Sequence, residues 1–424
     1  MLDILDKIIA NKNIQRYVIL VQDNNELRAT GGFLNSLITV TLDQGKVINI
    51  QTESSLALDR LVEGSIQPPE PVRQLLNQAN WAFRDSNVDA DFSESAKQIT
   101  WFIERFKNTE INGLIGINLS LYKTLLKESG PISLSNNQTV DKDNLNTLAE
   151  NPTSDSSNDF ITNLSRAFGE KILNKEIGFI PIARSTLESI ATNEINLNFK
   201  DPELEQLAEA SGISGRISKG SCHPQLASLC QSDTVYLNET NFSVAKTNYY
   251  LKRVQNHNAD INEAGNITVT LTYNYSFPVP VPTNLQNYKA YYQLYLPAGS
   301  TDLAIALDNQ KLDQAGFIQT SKVGLDKIEF SGSLSLNQNH VLKIRFISPI
   351  RLNIKSPQIA YSVNFPKQAG TGSDKFIYSL KYPETLNPKV LTLPMKSEDA
   401  GQLNYQTDRL GDLTFGVLFK NISL

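Results

Sequence analysis

Methionine, tryptophan, cysteine and histidine are all scarce in this chain of 424 residues, with two Met, two Trp, two Cys and three His. The histidines, His223, His257 and His340, lie in one strand-rich stretch, and none neighbours a plausible nucleophile motif. Ser-His-Asp and Cys-His catalysis are therefore not credible. Basic blocks are missing and the net charge is −5, so nucleic-acid binding has little support. Gly31-Gly32 lacks the spaced glycines of a dinucleotide fingerprint. No apolar run approaches the roughly 18 residues that span a bilayer, and no signal peptide precedes the first strand. Taken literally, those two features describe a soluble, cytoplasmic chain.

The cysteines argue otherwise. Cys222 and Cys230 bracket the short loop His223-Pro224-Gln225-Leu226-Ala227-Ser228-Leu229. A sole pair separated by proline and polar residues predicts a disulfide, and with it an oxidising, extracytoplasmic setting. Two unrelated thiols are the alternative; only His223 is near, and the spacing fits no zinc pattern. An extracytoplasmic protein without a leader in its sequence is expected to have lost an N-terminal signal or anchor.

What remains is ordinary globular material, 40% hydrophobic and 20% charged, and long enough for two or three domains. Tyr17 to Val21 and Phe33 to Leu42 are strand-like, and Asp43-Gln44-Gly45-Lys46 turns the chain into Val47-Ile48-Asn49-Ile50. Between the first two strands, Asn24 to Phe33 holds one acid, one base and two glycines, where the backbone can approach a ligand closely. An internal pair between Arg28 and Glu26 is the plainer reading. A helix is expected over residues 1–15, and Pro68, Pro69 and Pro71 are expected to block regular structure before a turn or two of helix from Val72 to Ala79.

A second conspicuous stretch, Asn80 to Phe92, mixes aromatics with Arg84, Asp85, Asp89 and Asp91. Ser93 looks like the N-cap of a helix that carries Ala96, Ile99, Phe102, Ile103 and Phe106. A strand over Ile111 to Asn118, a helix over Ser120 to Glu128 and a mobile excursion over 133–158 come next. Helices over Asp159 to Leu173 and Pro181 to Thr192, a strand over Ile195 to Phe199 and a helix over Pro202 to Ser211 complete an α/β rhythm. After Gly220 strand signals dominate, several strictly alternating, as in Ile267 to Tyr273. The predicted organisation is an α/β domain over 1–220, a mixed sheet flanked by helices, followed by an all-β sandwich region over 221–424.

Asn24 to Phe33 with Gly45-Lys46, and Phe83-Arg84-Asp85-Ser86-Asn87 with Asp91-Phe92 and Ser95-Ala96, resemble the domain-of-unknown-function 4012 family of bacterial cell-envelope proteins. Lys246 to Arg253, Tyr288 to Ser300 and Lys367-Gln368-Ala369-Gly370 resemble its carboxy-terminal half. That resemblance implies a membrane anchor in the full-length protein. The amino-terminal half is also similar in order to the LytR-CpsA-Psr phosphotransferases, which transfer polyprenyl-phosphate-linked glycopolymers to the cell wall using arginines and a magnesium held by aspartates. Arg28 falls at that family's Arg-Ser-Asp turn and Arg84-Asp85 at its Pro-Arg-Asp.

The second resemblance implies a catalytic set of Arg28, Arg84 and Asp85. It also implies a phosphate-binding set of Arg28, Thr30, Arg60, Arg84, Asn87, Arg166 and Lys171, and a magnesium held by Asp85 with Asp89 or Asp91. Guanidinium groups would clamp phosphate oxygens. Two departures weaken the enzyme reading: Thr30 stands where a metal-binding aspartate is expected, and the paired arginines expected before the Asp159 helix are missing. The favoured expectation is an extracytoplasmic cell-envelope protein whose α/β domain binds an anion, a polyprenyl phosphate or glycan phosphate, without turnover, with a polyprenyl-phosphate-linked or cell-wall glycan as partner. A glycopolymer phosphotransferase and a structural surface protein are the alternatives.

Overall fold

The computed structural model describes residues 2–150, 157–226, 230–243, 245–282, 285–322, 324–399 and 401–423. Two compact units are present, and neither is continuous in sequence. The first comprises Met1–Ile217, Thr240–Tyr249 and Gln368–Thr371. The second comprises Ser218–Glu239, Tyr250–Lys367 and Gly372–Leu424. Two short segments that read as part of the β-rich region thus group with the α/β unit.

In the first unit the elements run α1 (Leu2–Ala10), β1 (Gln15–Asp23), β2 (Phe33–Asp43), β3 (Lys46–Ser54), α2 (Ser55–Asp59), α3 (Glu70–Leu75), α4 (Phe92–Lys107), β4 (Gly113–Asn118) and α5 (Leu119–Ser129). They continue through β5 (Ile132–Ser133), β6 (Thr139–Val140), α6 (Leu145–Glu150), α7 (Ser157–Leu173), α8 (Phe179–Ala191), β7 (Ile195–Phe199) and α9 (Pro202–Ala210). The sheet order is β3-β2-β1-β4-β7. β1 pairs antiparallel with β2 and parallel with β4, so the sheet is mixed as expected. Aliphatic and β-branched residues make β1 a central strand, buried along most of its length, which requires cover on both faces. Tyr122 of α5 and Phe168 of α7 stack at 4.9 Å in the core beside Val21 and Ile117.

Three local expectations are corrected. The cap of α4 is Asp91, not Ser93: its carboxylate accepts the Ser93 amide, and the helix begins at Phe92. A carboxylate there satisfies an orphan N–H and faces the positive end of the helix. Pro71 does not block structure; it occupies the first turn of α3, where its missing N–H costs nothing. The stretch over 133–158 contains the ribbon of β5 and β6 and the helix α6, while residues 151–156 lie outside the described set.

The second unit is all-β. An eight-stranded sheet runs, in spatial order, Gln310–Lys311, Thr301–Leu307, His340–Arg351, Asn266–Ser276, Lys252–Ile261, Asp374–Lys381, Gln402–Arg409 and Lys396–Asp399. A four-stranded sheet orders Ile318–Lys322, Leu325–Leu334, Tyr288–Pro297 and Tyr236–Asn241, and a second orders Leu386–Leu391, Leu413–Asn421, Gln358–Phe365 and Cys230–Thr234. Inward residues of all three sheets, such as Leu271, Leu294 and Val363, belong to one hydrophobic core, as a sandwich requires. Asn266–Ser276 alternates intermediate and buried along its whole length, the pattern its sequence predicts.

Candidate functional site

The β1–β2 loop is built around its own hydrogen bonds. The Glu26 amide donates to the Asp23 carbonyl (3.1 Å), Gly31 to Arg28 (3.0 Å) and Phe33 to Glu26 (2.9 Å). Gly31 has φ of 136°, open to glycine and strained for other residues. A Cβ there would collide with the Asn118 side chain, and one at Gly32 with the Asp23 backbone. The two glycines therefore serve close packing within the protein, which corrects the expectation that they clear space for a ligand.

Arg28 is 2% exposed. Its Nη2 meets Glu26 Oε1 at 2.6 Å and Asp85 Oδ1 at 3.3 Å. Its Nη1 donates to the carbonyls of Asn241 and Leu27. The guanidinium carbon lies 5.5 Å from the Phe33 ring centroid and 5.4 Å from that of Phe242, a geometry in which a cation is attracted to the ring face. Burial works against its charge, but Glu26 and Asp85 outweigh that and hold the guanidinium above its ordinary pKa. Burial also raises Glu26, against the pull of Arg28. The result is an internal Arg-Glu-Asp cluster.

The second stretch encloses this cluster. Asp85 also accepts from Gln78 Nε2 (3.1 Å) through its Oδ2. Asn87 Nδ2 reaches Thr30 Oγ1 (2.9 Å), Gly32 O (2.9 Å) and Gln22 Oε1 (3.2 Å), and Thr30 Oγ1 donates to Gln22 Oε1 (2.5 Å). Arg84 is the outward member: its side chain is 34% exposed and its Nη1 sits 3.5 Å from Asp59 Oδ2. Burial pushes the Asp59 carboxyl up, and Arg84 partly offsets this.

Arg28, Thr30, Arg84, Asp85 and Asn87 are thus neighbours. The remaining residues of the expected phosphate set have other surroundings. Arg60 ends α2 in the open. Arg166 is exposed and donates to Asn163 (2.7 Å), and Lys171 pairs with Glu176 (2.7 Å). Among the expected metal ligands, Asp85 is held by Arg28 and Gln78, Asp89 accepts the Asp91 amide (2.8 Å), and Asp91 caps α4. Among the described residues no three His, Cys, Asp or Glu side chains gather as a metal site. These three aspartates, engaged as they are, do not fit a magnesium centre.

Distant segments complete the cluster. Besides Asn241 and Phe242, Lys246 Nζ pairs with Asp23 Oδ2 (2.7 Å). Gln368 Nε2 donates to the Arg28 carbonyl (3.2 Å), and the Gly370 amide donates to Glu194 Oε2 (3.1 Å). Glu194 also accepts from Asn118 Nδ2 (2.8 Å) and Ser120 Oγ (3.0 Å). Nothing in the local pattern of Asn241, Phe242 or Lys246 marks these roles. The only signal was that Lys246 to Arg253 and Lys367 to Gly370 resemble family segments. In the second unit Cys222 and Cys230 are joined by the expected disulfide. No helix among the described residues is long and apolar enough to cross a membrane.

An α/β unit with a closed arginine cluster and a separate β-rich unit are thus defined. Residues 13–153 match the family described as protein of unknown function DUF4012, so the resemblance to that family holds over this stretch. Solved structures similar to part of the chain include members of the LytR-CpsA-Psr family. TagV of Bacillus subtilis is 14% identical with a TM-score of 0.28, covering 51% of this chain and 89% of its own. The Bacillus subtilis protein titled transcriptional regulator YvhJ is 13% identical with a TM-score of 0.28, covering 48% and 78%. Protein gbs0355 of Streptococcus agalactiae is 14% identical with a TM-score of 0.31, covering 49% and 76%. Among curated proteins none matches the sequence.

Proposed function

We propose that this is an extracytoplasmic cell-envelope protein that binds rather than turns over its ligand, and that the arginine cluster of its α/β unit is a structural clamp. One observation carries the reading. Arg28, the cation that a pyrophosphate-handling transferase would present to its substrate, is buried and already neutralised by Glu26 and Asp85. Transition-state stabilisation needs donors aimed at the charge that develops on the substrate. Here those donors are aimed at the protein. The disulfide supports the extracytoplasmic setting, since such bonds persist in oxidising compartments. A lipid-linked or cell-wall glycan is the ligand class we assign, and no magnesium step enters this reading.

The test is direct. Purified protein is incubated with magnesium, a polyprenyl-pyrophosphate-linked oligosaccharide and a cell-wall acceptor, and released polyprenyl phosphate is measured beside retention of the glycan. Retention without release is expected. Catalytic release by the unaltered protein would overturn the binding reading.

A further inference from the structure

The β-rich unit contains an open cavity of about 450 Å³ next to the disulfide, within the size range of small-ligand sites. Two cations, Lys219 and Arg351, line it together with Gln231 and Ser232, and Pro349 and Ile350 supply an apolar wall. Among the described residues no carboxylate lines it. Lys219 and Arg351 form no ion pair with an acid among the described residues, although the Lys219 charge acts at a distance on the buried carboxylate of Asp233, which lies behind the wall.

The walls are fixed by covalent and hydrogen bonds. The Gly220 amide donates to Thr234 Oγ1 (2.7 Å), and Ser232 Oγ donates to the Gly220 carbonyl (2.9 Å). These bonds hold the segment beginning at Lys219 against the strand Cys230–Thr234, and the Cys222–Cys230 bond closes the loop between them. Arg351 ends the strand His340–Arg351, and its Nε donates to the Ala264 carbonyl (3.0 Å). Its two terminal nitrogens carry no hydrogen bond among the described residues.

We propose that this cavity binds an oxyanion carried on a sugar, either a phosphate ester or a uronate carboxylate. A guanidinium matches the planar or tetrahedral oxygens of both groups, and the ammonium adds a point charge. Gln231 and Ser232 can hydrogen-bond hydroxyls, and Pro349 with Ile350 can cover the C–H face of the ring. The inference goes beyond the binding reading above and stands apart from it, because Lys219 and Arg351 are not members of the Arg28 cluster.

Calorimetric titration of the full chain with glucose 6-phosphate, with glucuronate and with neutral glucose tests it. The expected result is saturable millimolar binding of at least one acidic sugar, absent for glucose and weakened about tenfold or more in a Lys219→Glu, Arg351→Glu double variant of unchanged melting temperature. Binding of only the phosphate or only the uronate identifies the source of the anion. Failure of both acidic sugars to exceed glucose, or full binding by the folded double variant, would sink the proposal. Neither result depends on whether the protein releases polyprenyl phosphate.

Discussion

A buried arginine between two carboxylates is held in place by what its removal would leave behind. Glu26 and Asp85 are almost fully enclosed, and truncating Arg28 would strand both as buried charges. Breaking such a cluster costs about 3–5 kcal/mol, whereas removing a partly exposed pair costs about 1 kcal/mol or less. Arg28→Ala is therefore expected to lower stability strongly in urea denaturation, and Arg84→Ala only slightly. Equal losses would contradict the clamp. Asp233 makes the pH argument in the other unit. Burial pushes its carboxyl up to about 6, against hydrogen bonds from Tyr361 (2.9 Å) and Ser348 (2.9 Å). A carboxyl whose folded pKa exceeds its unfolded value binds more protons when folded, so stability falls as pH rises between about 4 and 6. Above that window the penalty is constant, on the order of 3 kcal/mol. Asp233→Asn should flatten this part of the pH dependence relative to the unaltered protein. Parallel melting temperatures from pH 4 to 7 would refute the assignment.

At the scale of elements, close backbone approach decides what can change. Gly370 has φ of 77°, and a Cβ there would overlap the Gly31 carbonyl. Left-handed strain and steric overlap together predict a loss of roughly 2–5 kcal/mol for Gly370→Ala. Gly372→Ala, where a Cβ meets nothing within 4 Å, is the control and should be nearly silent. The contrast also explains what could be read from the sequence. Strands such as Tyr17 to Val21 and Ile267 to Tyr273 were legible because burial of one or both faces writes itself into residue choice every second position. Helix α4 was legible from Ala96, Ile99 and Phe102, though its cap was misplaced by two residues because Asp91 and Ser93 are both good caps. The pairing of Arg28 with Glu26 was readable from proximity in sequence. Asn241, Phe242 and Gly370 were not, because their part in the cluster depends on contacts between residues 176 or more positions apart, which no local period records.

At the scale of the whole molecule, the discontinuity of the first unit makes a strong claim about folding. Residues 1–217 contain every strand of its sheet, so a fragment cut there looks self-sufficient from topology. It would nevertheless lack the Asn241 carbonyl and Phe242 ring that receive Arg28, the Lys246 ammonium that pairs with Asp23, and the Gly370 amide that donates to Glu194. Each loss removes one partner from a buried charged group, Arg28, Asp23 or Glu194, that keeps others within the fragment, and a hydrogen bond to a charged group contributes about 1.5–3 kcal/mol. Together they are comparable with the 5–15 kcal/mol that separates folded domains from unfolded chains. The fragment 1–217 is expected to show no cooperative urea transition, or one at much lower midpoint than the first unit of the full chain. A fragment as stable as that unit would mean that the inserted segments only decorate the sheet. In that case Glu26 and Asp85 alone would hold the Arg28 guanidinium, and the clamp would be a property of the two loops rather than of the segments that join them from the distant chain.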